Sequence, residues 1–298
     1  VVGLHSIIPP DAFSAETLGT ERAGNGVVID RGLVLTIGYL IVEAEQVQVI
    51  TRDQARVPAQ VVAYDAVTGL GLLRLLFPLP GVQQVKLGSA FAAERGLPLL
   101  AMTGSAPRQT TLVRLVDIRP FTGYWEYHLD AALYTAPAFG NHSGAGLFNA
   151  QGELVGIANL LLRDVRTPDD PDAEPGNLFV PVEVLRPVIE ELVRTGRHPQ
   201  GRRAWLGINA VEFEGRIRIT RVTPDSPAQA AGLRPGHWVV ALDGQPVATL
   251  EALYKRLWAA GRLDAGPLRL TVREGAQERQ LQVPLRERGE AVARPRSI

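Results

Sequence analysis

Between residues 25 and 160 the apolar residues come in short bursts broken by turn formers. The bursts are Val27–Ile29, Leu33–Ile37, Val47–Ile50, Val61–Tyr64, Leu70–Leu76, Leu99–Met102, Thr111–Ile118 and Leu154–Ile157. Val, Leu and Ile dominate them, and none keeps helical spacing over three turns. Many short β-prone runs at near-regular spacing predict an all-β barrel or sandwich. The longest apolar runs, Leu33–Val42 and Leu154–Leu162, contain glycine and reach about half of the roughly 20 residues a membrane helix needs. No transmembrane segment is expected. The sequence opens at Val1 rather than Met and reads as a processed or trimmed piece, from which any targeting segment would have been lost.

A chain of 298 residues suits two domains. The pattern changes at Glu183, where Leu185, Val188, Ile189, Leu192 and Val193 recur at helical spacing and Gly196 follows as a stop. The polar linker Arg197–Arg203 then marks a boundary. Beyond it a small module mixes strands and helices. Ile217–Val222 reads as a strand, and Asp225–Gly232 as a short helix capped by Ser226, with Pro227 first and Gly232 as its left-handed stop. Trp238–Leu242 reads as a strand turning at Asp243-Gly244. A helix starts at Thr249 with Leu250, Leu253, Tyr254, Leu257 and Trp258 on one face and Gly261 after it, and the strands Leu268–Val272 and Gln280–Val283 finish the module. The expected boundaries are 1–198, 203–288 and a tail over 289–298.

Lys+Arg and Asp+Glu both number 31, so no net field favours nucleic acid or an anionic surface. Cysteine is absent, which excludes disulfides, thiolate nucleophiles and thiolate metal sites while leaving the compartment open. No cofactor is implied.

The stretch with most chemistry is Gly140-Asn-His-Ser-Gly-Ala-Gly-Leu-Phe-Asn149, followed by Gly152-Glu-Leu-Val-Gly-Ile157. A serine among small residues in a tight turn exposes its hydroxyl beside converging backbone N–H groups, as acyl transfer requires, although such a serine is also an ordinary turn residue. The run resembles the G-N-S-G-G-P-L-x-N segment of the HtrA (Deg) proteases, a trypsin-like family. Gly24-Asn-Gly-Val-Val-Ile-Asp30, Leu33-Val-Leu-Thr36 and Leu178-Phe-Val-Pro181 resemble further motifs of that family. Trp205-Leu-Gly-Ile208, Val222–Gly236 and Asp243–Val247 resemble its PDZ domain. The resemblance covers nearly the whole chain in order. It implies a mainly β fold: a trypsin-like double β-barrel followed by a small αβ PDZ domain.

The family's triad does not carry over intact. Its T-N-x-H-V-V maps onto Thr36–Ile41 and puts Tyr39 at the histidine. Its D-x-x-x-D-L-A-V-L maps onto Asp65–Leu73 and puts Gly69 at the catalytic aspartate. Ser143 alone keeps its place. A phenol titrating near pKa ~10 is a poor base at neutral pH, and glycine has no side chain to orient one. Asn141, His142 and Ser143 form the oxyanion-hole position, with Asn141 where the family has glycine and Ala145 for its second glycine. Of the five histidines, His142 adjoins Ser143, but neighbouring side chains in a turn diverge. His128 among aromatics is expected to pack, His237 to be a surface turn residue and His198 to lie in the linker. His5 reaches the site only if the first strand runs beside it. Activation by a buried Val1 amine is rejected, because His142 stands where that mechanism needs an acid.

For the PDZ-like module the resemblance implies a carboxylate-binding loop at Trp205, Leu206, Gly207 and Ile208. The partner would be a polypeptide C-terminus or an unfolded segment, laid along a groove walled by Leu253 and Leu257. In the plainer reading Leu206, Leu253 and Leu257 are core. The proline-broken acidic loop over 163–177 reads as a solvated surface loop rather than a metal site, and by resemblance lies near the cleft mouth, where it could gate access. The terminal Arg296-Ser-Ile298 could itself be a PDZ ligand. The expectation is a pseudoprotease acting as chaperone, scaffold or regulator, a homo-oligomer (trimer) by analogy, in the bacterial periplasm or envelope. Two alternatives stay open: an active serine endopeptidase with a non-standard base, and a purely structural role.

Overall fold

The structure is a computed structural model and describes residues 1–79, 81–167, 172–200, 203–259 and 262–291. Two compact units divide it: Val1–Pro120 with Leu129–Pro199, and Phe121–His128 with Gln200–Ala291.

The first unit contains two closed antiparallel barrels. One is built from β1 (Val2–Ile7), β2 (Glu21–Val28), β3 (Leu33–Ile37), β4 (Gln46–Ile50), β5 (Arg56–Tyr64) and β6 (Leu70–Leu75), in the order β1-β2-β3-β6-β5-β4. The other uses β7 (Pro98–Met102), β8 (Thr110–Gly123), β9 (Tyr127–Ala136), β10 (Gly146–Phe148), β11 (Leu154–Leu162) and β12 (Gly176–Pro181), in the order β10-β11-β12-β9-β8-β7. Closure leaves no free sheet edge, and side chains from every strand fill the interiors. Leu33, Val34, Leu35 and Ile37 of β3 are all buried, as are Leu154, Val155 and Ile157 of β11. That double-sided burial explains apolar runs without alternation.

A short helix, α1 (Ala15–Leu18), joins β1 to β2, and α2 (Ile189–Thr195) follows the second barrel. The expected helix from Glu183 is shorter than its apolar pattern. Val182–Val184 forms a single 3₁₀ turn, and α2 starts only after Pro187, because proline disfavours helical backbone at the residue before it. Gly196 ends α2 in the left-handed conformation, its N–H donating to the Leu192 carbonyl at 2.8 Å.

In the second unit β14 (Ile208–Phe213), β15 (Arg216–Val222), β16 (Trp238–Leu242), β18 (Leu268–Glu274) and β19 (Gln277–Val283) form one antiparallel sheet, with β17 (Gln245–Pro246) paired to β16. A small pair, β13 (Ala204–Trp205) with β20 (Arg286–Glu287), closes the base. Its helices include α3 (Pro227–Ala230) and α4 (Leu250–Leu257). Ser226 and Thr249 cap them, accepting from the backbone N–H groups of Gln229 and Ala252 at 3.2 Å each. Leu250, Leu253, Tyr254 and Leu257 turn into the core against Ile217, Ile219, Leu268 and Leu270. Gly261 and Arg296–Ile298 lie outside the described residues. His237 corrects an expectation: it is buried, not a surface residue, because its carbonyl accepts from Ile219 and draws the turn onto β15. No helix among the described residues is long and apolar enough to cross a membrane.

Candidate active site and peptide-binding loop

In the first unit the turn that carries Ser143 leads into β10 and is held from behind by Asn25 of β2. The Asn25 backbone N–H and Nδ2 both donate to the Ser143 carbonyl, at 2.8 and 3.0 Å, and Nδ2 also donates to the Asn141 carbonyl at 2.7 Å. Asn25 Oδ1 accepts from the N–H groups of Gly104 and Ser105. The approach is close enough to demand glycine. A Cβ at Gly144 would stand 2.1 Å from the Asn25 carbonyl oxygen, and the residue sits at φ +76°. Asn141 takes φ +54°, a left-handed conformation that asparagine tolerates. Among the described residues the backbone N–H groups of Asn141 and Ser143 donate to no protein acceptor.

Tyr39 lies in the 3₁₀ turn Gly38–Leu40 after β3. Arg22, buried with 5% exposure, fastens the segment: its guanidinium donates to the Tyr39 carbonyl at 2.7 Å, the Val42 carbonyl at 3.0 Å and Ser14 Oγ at 2.7 Å. The N–H of Gly38 donates to the Gly69 carbonyl at 2.7 Å, so the glycine at the expected aspartate position lies against the chain beside Tyr39. Gly69 has φ +78° and offers only backbone. The nearest acid in sequence, Asp65, is buried and committed to its own turn, accepting from the Val67 N–H at 2.9 Å and from Thr68 Oγ1 at 2.6 Å.

The Tyr39 hydroxyl stands 2.7 Å from Ser143 Oγ and 3.0 Å from the Asn159 carbonyl oxygen. Burial pushes the phenol up to about 12, opposed in part by its hydrogen bond to Ser143. Among the described residues no imidazole bonds Ser143. His142 is half-buried, and burial lowers its pKa. His128 Nδ1 lies 2.9 Å from Thr122 Oγ1, and His5 Nε2 lies 2.6 Å from Glu21. The structure brings Tyr39, Gly69 and Ser143 together and adds Arg22 and Asn25, which sequence reading missed. Polar residues inside an apolar strand, such as Asn25 in Gly24–Val28, were the available signal.

The loop over 163–177 is described except for residues 168–171. Val165 is fully buried, its N–H donating to the Glu174 carbonyl, while Asp164 bonds Arg166. The loop is thus anchored rather than wholly solvated. No group of acids and histidines that could hold a metal occurs among the described residues.

In the second unit Trp205, Leu206, Gly207 and Ile208 are buried, and Leu253 and Leu257 are fully enclosed in the core. Gly207 adopts φ +83°. The loop is not open. The N–H groups of Leu206, Gly207 and Ile208 donate to the Glu126 carboxylate at 3.1, 2.7 and 2.9 Å. Glu126 is 1% exposed, and burial pushes its pKa up against the opposing pull of Arg288 and these three donors.

A trypsin-like peptidase domain matches residues 24–157 and a PDZ domain matches residues 218–262. The serine endoprotease DegS of Escherichia coli (strain K12) is 26% identical over 265 residues, covering 80% of this chain and 70% of DegS. The periplasmic serine endoprotease DegP of Salmonella typhimurium is 25% identical over 246 residues, covering 77% of this chain and 50% of DegP. The chain thus spans about half the length of DegP-like relatives. Among solved structures, the HtrA-type protease AlgW with a decapeptide covers 96% of this chain and 95% of its own at 19% identity and a TM-score of 0.56. The serine endoprotease from Yersinia pestis covers 96% and 93% at 24% identity and a TM-score of 0.53. Both likenesses concern the fold. With two barrels, a PDZ unit and these relatives, the chain belongs to the HtrA/Deg family of trypsin-like serine proteases.

Proposed function

We propose that this chain is a proteolytically silent HtrA/Deg protein that acts by binding polypeptide, as chaperone, scaffold or regulator. The observation that carries the reading is the contact between Tyr39 and Ser143 at 2.7 Å. A phenol has one proton and two oxygens to serve, Ser143 Oγ and the Asn159 carbonyl, and the carbonyl can only accept. Whichever oxygen takes that proton, Tyr39 stays neutral and does not accept a proton from the serine as the nucleophile attacks, as an imidazole would. Without a carboxylate at Gly69 no base could be oriented either. In other serine proteases loss of triad members lowers kcat by about 10⁴–10⁶, leaving about 10³–10⁴ over water.

Retention of an ordered serine turn and of the PDZ unit supports a binding role in which the cleft and the peptide loop outlast the chemistry. Polypeptide C-termini and unfolded segments are the proposed partners. Envelope placement and a trimer are proposed from the relatives, of which DegP is named periplasmic. The test is fluorophosphonate labelling of Ser143 alongside casein turnover, with Ser143→Ala as control. No label and no cleavage is the expected result; cleavage abolished by Ser143→Ala would establish the active-protease alternative instead.

A further inference from the structure

Residues Phe121–His128, the end of β8, the start of β9 and the turn between them, belong to the second unit by their contacts. Their arrangement copies a bound peptide. Beyond the three bonds to the Glu126 carboxylate, the Ala210 N–H of β14 donates to the Tyr124 carbonyl at 2.9 Å, as it would to a strand added at that edge. The Glu126 N–H donates to Tyr254 Oη of α4 at 3.2 Å, and Arg288 Nη1 donates to the Glu126 carbonyl at 2.6 Å. Trp125 stacks on Tyr127 with ring centroids 5.7 Å apart, stiffening the turn. Glu126 holds φ +55°, an uncommon conformation for a non-glycine residue.

We propose that Glu126 occupies the carboxylate-binding loop in cis as a built-in substitute for a peptide C-terminus, so that a free peptide carboxylate enters only by displacing it. This rests on the reading of the second unit as a peptide-binding module. Three N–H donors converge on one buried carboxylate, and charge-assisted bonds of this kind are roughly twice as strong as neutral ones. One turn engages the three loop donors and a backbone N–H of the adjoining edge strand together. The carboxylate comes from a side chain rather than a chain end, so the occupant cannot diffuse away. Ligands would therefore be selected for competing with a tethered group at high effective concentration.

The test uses the full chain and fluorescein-labelled decapeptides ending in an apolar residue, each as free acid and as C-terminal amide. Glu126→Gly suits the left-handed backbone and removes the occupant; Glu126→Gln keeps the volume and turns N–H donors toward N–H donors, so a thermal melt decides which variant is used. The expected result is free-acid binding tighter than wild type by about tenfold or more, with amides unchanged, and an upfield move of the Gly207 amide proton in the variant. Equal free-acid affinity for wild type and variant overturns self-occupancy while leaving peptide binding intact. No binding to either with an unmoved Gly207 amide overturns it as well. No binding to either with a moved Gly207 amide upholds self-occupancy and removes the peptide-binding reading.

Discussion

Asn25 and Ser143 are joined twice at a single atom: the backbone N–H and the side-chain Nδ2 of Asn25 both end on the Ser143 carbonyl. The asparagine is fully buried, and its remaining valences hold Asn141, Gly104 and Ser105. Asn25→Ala strands these groups inside the protein and should cost about 2–4 kcal/mol. Urea unfolding of the full chain measures it. A cost below about 0.5 kcal/mol would mean that the serine turn holds without this brace.

Gly207 tests the close packing of the second unit's loop. A Cβ there would meet Ser226 Cβ at 2.3 Å, next to the cap of α3, and φ is +83°. Gly207→Ala should destabilise the chain by about 2–4 kcal/mol through overpacking and backbone strain. Its melting transition should broaden or split if the second unit melts first. A melt identical to wild type would show that the loop has room to shift.

Local chemistry was legible in the sequence and long-range pairing was not. The caps Ser226 and Thr249 and the stop Gly196 each act within four residues, so their neighbours specify them. Strand β3 was read with its observed bounds because every residue in Leu33–Ile37 is buried. Strand β9 was missed because its buried residues fall on both faces, broken only at Asp130 and Ala131, and no alternation marks it. At the site, alignment with the family put Tyr39, Gly69 and Ser143 at the triad positions. Glu126 lay 80 or more residues from its loop partners in an aromatic turn that read as packing. Nothing short of the fold brings a carboxylate from there to Gly207.

If the proposed silence of Ser143 stems from Tyr39 and Gly69, a histidine and an aspartate at those positions should create chemistry. Tyr39→His supplies an imidazole titrating near pH ~6.5 in the same turn. Gly69→Asp adds an orienting carboxylate at φ +78°, which aspartate tolerates better than most residues. The double variant should label with fluorophosphonate, and Tyr39→His alone should label more slowly, by as much as about 10⁴. Labelling rates separate the cases. A folded double variant that stays unlabelled would move the cause of silence to the Asn141–Ser143 turn.

Raising the pH should not turn Tyr39 into a base for Ser143, because the phenol resists ionisation. Its folded pKa is pushed up to about 12, against about 10 in an unfolded chain. Below pH 10 both states hold the proton, and the buried phenol contributes its full stabilisation. Between pH 10 and 12 only the unfolded state ionises, so stability falls by up to about 2–3 kcal/mol. Tyr39→Phe has no proton to lose, so its stability relative to wild type should rise across that window and stay constant below it. Paired urea titrations from pH 8 to 11.5 read the difference. The rest of the chain is common to both proteins and cancels. Fluorophosphonate labelling of wild type should remain flat from pH 6 to 10. A labelling rate that climbs with a midpoint near pH 10 would mean that the phenolate forms in the folded protein and serves Ser143 as a base.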